Sequence, residues 1–360
     1  MAGIFGALNL NDSDRVFNAT TGQQAIYDVA TRYIAEVNAD MMRALSIFVE
    51  GTTTNYTERY KLPGGGRLQR RGGAAPSGAV KAFGSWDVAY PLEDFGAQLA
   101  VTDVDMAYMT VAELDLHINT VIAQSVNTVR FEILRRIFNN AASTFADPRH
   151  GNLTIQPLAN NDAVVYPPVA GSETEATDDH YLESGYLATA ISDANNPYIT
   201  IKQELVEHFG GASSVGSNVV VMINSAETPE TEDLTDFDVV PDRFIRPGAN
   251  ADIPYNMPAT PGRVIGRTNG VWVVEWDWIP AGFMFGTVLD EPAPLKMRID
   301  PEDTGLGVGL QLVAREPNSP YPWNTAFWRH RFGVGASNRL NGVVMELANG
   351  GGYTEPVAYA

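Results

Sequence analysis

The chain has 360 residues, 44% of them hydrophobic and 10% aromatic, with 22 prolines and 33 glycines. That is enough apolar material to build buried cores, and it excludes a wholly disordered chain. Acids outnumber bases 43 to 24, giving a net charge of −19, so the body of the molecule repels nucleic acid and anionic membranes except where its few cations are gathered. The absence of cysteine removes disulfides, thiolate metal sites and cysteine nucleophiles, and is compatible with a reducing cytoplasm.

The N-terminal MAGIFGALNLND has no basic region and only a short apolar run, unlike a secretory signal. Residues 1–20 lack apolar periodicity and are expected to form an extended arm. Thr21-Gly-Gln-Gln24 has the form of a capping box. After it, Ile26, Val29, Ala30, Tyr33, Ile34, Val37, Met41, Leu45 and Phe48 recur every three to four residues, which predicts an amphipathic helix over about 22–49.

The charge is unevenly spread. Between Thr52 and Trp86 stand Arg59, Lys61, Arg67, Arg70, Arg71 and Lys81 against Glu58 alone, a net +5, while the rest of the chain carries −24. The same stretch holds Gly64, Gly65, Gly66, Gly72, Gly73, Gly78 and Gly84 with Pro63 and Pro76. It cannot bury a core of its own and is expected to project as a long loop or open hairpin. Three readings stand side by side. It is a solvated insertion, a basic arm that docks on the acidic surface of another copy of this chain, or an RGG-like patch for RNA.

Thr110-Val-Ala-Glu113 is a second capping box. Leu114, Ile118, Val121, Ile122, Ser125, Val129, Ile133 and Ile137 continue it as one apolar stripe, and no Gly or Pro intervenes before Pro148. The pattern predicts a helix over about 111–142, roughly 48 Å long at 1.5 Å per residue. Without sustained heptads it reads as a structural spine, with His117 as a core or interface histidine on the stripe. Leu153–Gln156 and Ala163–Tyr166 around Asn160-Asn161-Asp162 read as a hairpin. Glu173, Glu175, Asp178, Asp179 and His180 can hold a cation but lack the ligand spacing of a calcium loop, so they read as a solvated acidic face.

A mixed α/β unit follows. Thr200–Phe209 predicts a short helix stopped at Gly210-Gly211, and Asn218–Ile223 a strand buried on both faces. Residues 226–236 predict an acidic helix, and 263–267, 271–276 and 283–289 predict strands. Gly270–Leu289 is the most apolar long stretch, but Glu275, Asp277 and Pro280 interrupt it, so it cannot span a bilayer. Trp328–Val334 and Val343–Leu347 read as strands returning to the first domain. No nucleophile elbow, HExxH or P-loop is present. Gly305-Leu-Gly-Val-Gly309 does not join a strand to a helix as phosphate binding requires. His117, His150, His180, His208 and His330 are scattered, and the arginines flanking His330 would disfavour its protonation. Nothing points to an enzyme, a cofactor or a metal.

In order, these features are an arm and helix, a basic extended loop, a spine helix, an α/β domain and closing strands. That order resembles the major capsid proteins of tailed phages, the Hong Kong 97 fold. The stretches Ile279-Pro-Ala-Gly-Phe-Met-Phe-Gly286, Pro294-Leu-Lys-Met-Arg-Ile-Asp-Pro301 and Trp328-Arg-His-Arg-Phe-Gly-Val-Gly-Ala-Ser-Asn-Arg339 look like its late axial-domain and last peripheral-domain strands. The resemblance implies an α+β fold. Its parts would be an N-terminal arm and helix (1–50), an extended E-loop (51–92), a peripheral domain with the spine helix (93–189), an axial domain (190–320), and closing peripheral strands with the tail (321–360).

It further implies a non-enzymatic shell protein that forms hexamers and pentamers around double-stranded DNA, assembled in a host cytoplasm and residing in the virion. Its partners would be other copies of itself, a portal, a separate scaffolding protein and a decoration protein, with no membrane and no cofactor. Arg59, Lys61, Arg67, Arg70, Arg71 and Lys81 would form the E-loop interface. Some relatives join an E-loop lysine to a neighbour's asparagine. Here Lys61 and Lys81 are the lysines of the loop, Asn338 and Asn341 with Glu346 are the only plausible acceptor group near the closing strands, and non-covalent assembly is expected. The alternatives are an encapsulin-type shell of the same architecture and, in a different class, an RNA-binding protein.

Overall fold

The computed structural model describes residues 17–18, 22–61, 85–98, 103–166, 177–208, 218–239, 261–301, 308–315, 317 and 322–359. The described chain divides into two compact units, each assembled from three separated stretches. They are 1–43, 92–132 and 298–333 for the first, and 44–91, 133–297 and 334–360 for the second.

The first unit is helices on a sheet. Helix α1 (Gln23–Ala44) ends five residues short of the expected 49, where the chain turns into strand β1 (Val49–Thr53). Its capping threonine, Thr21, lies outside the described residues, as do most of residues 1–20. Tyr27, Ala30 and Ile34 are the buried stripe of α1. They pack with Met106 of the short helix α2 (Asp103–Tyr108) and with Leu114, Ile118 and Ile122 of helix α3 (Val111–Phe138). The α3 capping box forms as expected: Glu113 N donates to Thr110 Oγ1 at 3.2 Å, and Thr110 N donates back to Glu113 Oε2 at 2.8 Å. At 28 residues α3 is about 42 Å long.

Below the helices, strand β15 (Ala326–Ala336) pairs antiparallel with β4 (Glu93–Gln98) on one side and β14 (Gln311–Ala314) on the other. The two-residue period of a strand sends Trp328, His330 and Phe332 inward, and they are buried. It sends Arg329 and Arg331 to the opposite face, where they pair with Asp94 and Asp300. Trp323 sits edge-on to Tyr27 at 5.8 Å and donates its indole N–H to Gln23 O.

The second unit is built on a seven-stranded mixed sheet. Its strands are β7 (Tyr181–Glu183), β8 (Val219–Ile223), β9 (Phe237–Val239), β10 (Arg263–Thr268), β11 (Val271–Glu275), β12 (Phe283–Val288) and β16 (Val343–Glu346), in the order β7-β16-β12-β8-β11-β10-β9. All five residues of β8 are buried, parallel to β11 and antiparallel to β12, the doubly covered strand its all-apolar sequence predicts. Helix α4 (Pro197–His208) lays Tyr198, Ile201 and Leu205 on this sheet. Gly286 on β12 admits it, because a methyl there would collide with Ile201 Cγ2.

Three sequence expectations change. Residues 226–236 form a 3₁₀ turn (Ser225–Glu227) and a five-residue helix α5 (Thr228–Glu232), because Pro229 and the cap Asn224, whose Oδ1 accepts from Ala226 N, fix a tight local turn. Strand β16 does not join β15's sheet but lies between β12 and β7. The hairpin expected around Asn160–Asp162 is absent. Instead β6 (Gly151–Ile155) pairs with β5 (Ser143–Asp147) across a turn in which Asp147 Oδ1 accepts from Arg149 N and His150 N. The Asn160–Asp162 turn is held by a buried arginine. Arg339 donates to Pro157 O (2.7 Å), Leu158 O (2.9 Å) and Asp162 Oδ2 (2.7 Å). Among the described residues no helix is long and apolar enough to cross a membrane.

Candidate functional site

The basic stretch is bracketed by a short hairpin. Strand β2 (Thr57–Lys61) pairs antiparallel with β3 (Ser85–Ala89), with Arg59 opposite Asp87 and Lys61 opposite Ser85. Register therefore brings opposite charges across the ladder, and Arg59 grips Asp87 with two bonds of 2.5 and 2.7 Å. Both side chains are more than half exposed, so this pair locks the hairpin's register more than it adds stability. On the inner face, Trp86 and Val88 pack with Tyr90, Ala159, Tyr166 and Leu340.

A polar cluster sits where the hairpin meets β13 (Leu295–Ile299). Glu58 Oε2 accepts from Tyr60 OH (2.6 Å), Lys296 Nζ (3.1 Å) and Tyr90 OH (3.3 Å), while Oε1 accepts from Thr53 Oγ1 and Asn55 Nδ2. Burial pushes the Glu58 carboxyl up, but these donors outweigh it and bring it down to about 2. Burial likewise lowers the Lys296 ammonium, and Glu58 and Tyr60 more than reverse that. The hairpin is thus tied to β13 by a charged, nearly saturated cluster.

Of the six predicted interface residues, Arg59 is placed on this hairpin with its charge matched by Asp87, and Lys61 closes the ladder. Arg67, Arg70, Arg71 and Lys81, with the Lys61 side chain, lie outside the described residues. Glu173 and Glu175 lie outside as well, but Asp178 and His180 do not form a solvated face. His180 is fully buried and its Nε2 is 2.9 Å from Asp178 Oδ2. His117 is exposed, one residue off the buried line of Leu114 and Ile118, and is not a core residue. His330 has the structural role expected, for a different reason. Its neighbouring arginines point to the opposite face, and burial against Ser125 Oγ and Phe332 pushes the imidazole down to about 4.

Asn341 is fully buried, with Nδ2 donating to Val288 O and Pro292 O and Oδ1 accepting from Val288 N. Its amide ties β12 to the turn before β16 and is not presented for chemistry. Arg339 is the most consequential residue the sequence reading passed over. Its only sequence signal is an arginine in the Ser337-Asn-Arg-Leu-Asn341 turn that follows the apolar end of β15.

No protein-family model and no curated protein matches the chain. Solved structures do. A structure from Mycobacterium phage Patience superimposes with a TM-score of 0.65 at 20% identity, covering 100% of this chain and 98% of that one. Lower likenesses include the asymmetric unit of the bacteriophage PhiM1 mature capsid (TM-score 0.48, 12% identity, 82% of this chain and 83% of that one). Another is the capsid of a native GTA particle (0.47, 13%, 85% and 90%). The full-length match establishes the fold, α+β and Hong Kong 97-like.

Proposed function

We propose that this chain is a major capsid protein. As such it is a shell subunit, structural and not catalytic, that forms hexamers and pentamers closing an icosahedral container for double-stranded DNA in a virion. The observation that carries the reading is the fold shared from end to end with a phage structure. The charge distribution supports it. A strongly acidic body does not trap a polyanion during filling, and residues 62–84 contain Arg67, Arg70, Arg71 and Lys81 with no acid. A cationic arm on an acidic neighbour makes a head-to-tail contact, which closes into rings when the rotation permits. In this reading Lys61, Arg67, Arg70, Arg71 and Lys81 carry the contact, and Arg59 holds the hairpin from which they extend. Scaffolding, portal and decoration proteins would be its further partners, and residues 51–92 its E-loop.

Negative-stain imaging of the purified protein under assembly conditions is expected to show closed shells of uniform size. A protein that stays monomeric under every such condition overturns the proposal. Shells that carry nuclease-protected DNA separate it from an encapsulin-type compartment, which would carry protein.

A further inference from the structure

We propose that Asp178, His180 and Glu204 form a binding site for a divalent transition-metal ion of the Zn²⁺ or Mn²⁺ kind. Each residue offers one ligand atom, and the three atoms lie within 4.8 Å of one another. Two donors held at about 2.0–2.2 Å from one ion stand roughly 3–4.4 Å apart, so a single ion reaches all three once the side chains draw in by a few tenths of an ångström. The site lies wholly in the second unit. Asp178 and His180 are on the segment entering β7, and Glu204 is in the middle of α4.

The histidine makes this more than a pair of acids. His180 is fully buried, and its Nδ1 is 2.8 Å from Gly342 O. A carbonyl only accepts, so Nδ1 carries the hydrogen. Nε2 faces Asp178 Oδ2 at 2.9 Å. Glu204 adds a second carboxylate to the same point, so two carboxylates and an imidazole nitrogen converge. A ring N–H donated to a backbone carbonyl is also the outer-shell arrangement that fixes the tautomer of metal-ligating histidines.

The backbone holds the donors in place. His180 N donates to Ala159 O, its carbonyl accepts from Val344 N of β16, and Asp178 O accepts from Asn161 N. Asp179 is not part of the set, because its Oδ1 accepts from Tyr181 N. One imidazole and two carboxylates suit Zn²⁺ or Mn²⁺ better than all-oxygen-seeking Ca²⁺ or Mg²⁺. A bound ion would staple α4 to the β7 entry, and the fold would be stabilised in proportion to ion concentration.

The experiment uses the full chain stripped with a chelator, titrated calorimetrically and unfolded thermally with Zn²⁺, Mn²⁺ or Mg²⁺. One equivalent of Zn²⁺ or Mn²⁺ is expected to bind and raise Tm by several degrees, with Mg²⁺ ineffective at the same concentration. Glu204→Gln should weaken binding at least tenfold. Electron paramagnetic resonance of Mn²⁺ on the unmutated protein should show coupling to an imidazole nitrogen, a readout that needs no variant to fold. Absence of stoichiometric binding, binding unchanged by Glu204→Gln, or no nitrogen coupling overturns the site.

Discussion

At the scale of single residues, burial decides chemistry more than neighbouring charge does. His330 sits between two arginines in the sequence, yet it is desolvation under α3 that keeps it neutral. Its folded pKa, about 4, lies below the ordinary 6.5, so on acidification the unfolded chain takes up the proton first. The stabilisation is complete above pH 6.5 and is lost as pH falls from there through 4, about 3 kcal/mol in all. Urea unfolding of wild type and His330→Asn across pH 4–7 should show a steeper acid decline in the wild type. Asn keeps a polar atom near the Nδ1 position, so equal slopes would mean the imidazole titrates normally. Residues of this kind are poorly legible in sequence. That His330 is structural could be read from its strand; that Arg339 is buried, or that Glu204 lies beside His180, depends on contacts between stretches 24 to 182 residues apart. No local pattern encodes these.

Among elements, those with a strong internal rule were the legible ones. The 3.6-residue stripe and the reciprocal Thr110–Glu113 bonds mark α3 within a few residues at its end, and the uninterrupted apolar run marks β8. Weakly patterned elements were not. β4 reads Glu-Asp-Phe-Gly-Ala-Gln and is a strand because β15 offers it an edge; Gly96 fits there since a Cβ would press on Trp328 O. The β10–β11 turn did carry a signal, Asn269-Gly270, and both residues take positive φ (49° and 80°), the pair demanded by a two-residue hairpin. Helix-on-sheet packing gives a sharper test. Gly286→Ala places a methyl against Ile201, and such overpacking costs about 1–3 kcal/mol. Combining it with Ile201→Ala should restore part of that loss relative to the sum of the single variants, measured by a double-mutant cycle in chemical denaturation. Strict additivity would show that α4 does not bear on β12 at this point.

Over the whole molecule, the separation of +5 from −24 was plain in the sequence, while the register of the hairpin that brackets the basic stretch was not. Its register depends on Arg59 meeting Asp87 and on Glu58 meeting Lys296, far along the chain. In the proposed contact each exposed ion pair would be worth about 0–1 kcal/mol, so the contact would be collective. Joint reversal of Arg67, Arg70 and Arg71 to Glu should abolish assembly while circular dichroism and Tm of the subunit stay unchanged. Normal shells from the triple variant at low and high salt would remove the electrostatic role of the arm.

The interleaving of the two units has a consequence for how the chain comes off the ribosome. Neither unit is a contiguous piece: the first needs β14 and β15, and its last stretch ends at residue 333, while the second needs β16 beyond it. An early portion of the nascent chain therefore has α1 and α3 but no sheet beneath them, and the β7 edge waits for a strand some 160 residues downstream. At roughly 5–20 residues per second, these surfaces stay incomplete for tens of seconds. Native subunits, and with them any surface able to recognise another copy, come into being only after nearly all of this sequence has been translated. If the chain assembles as proposed, partly made chains would thereby be kept out of the growing shell.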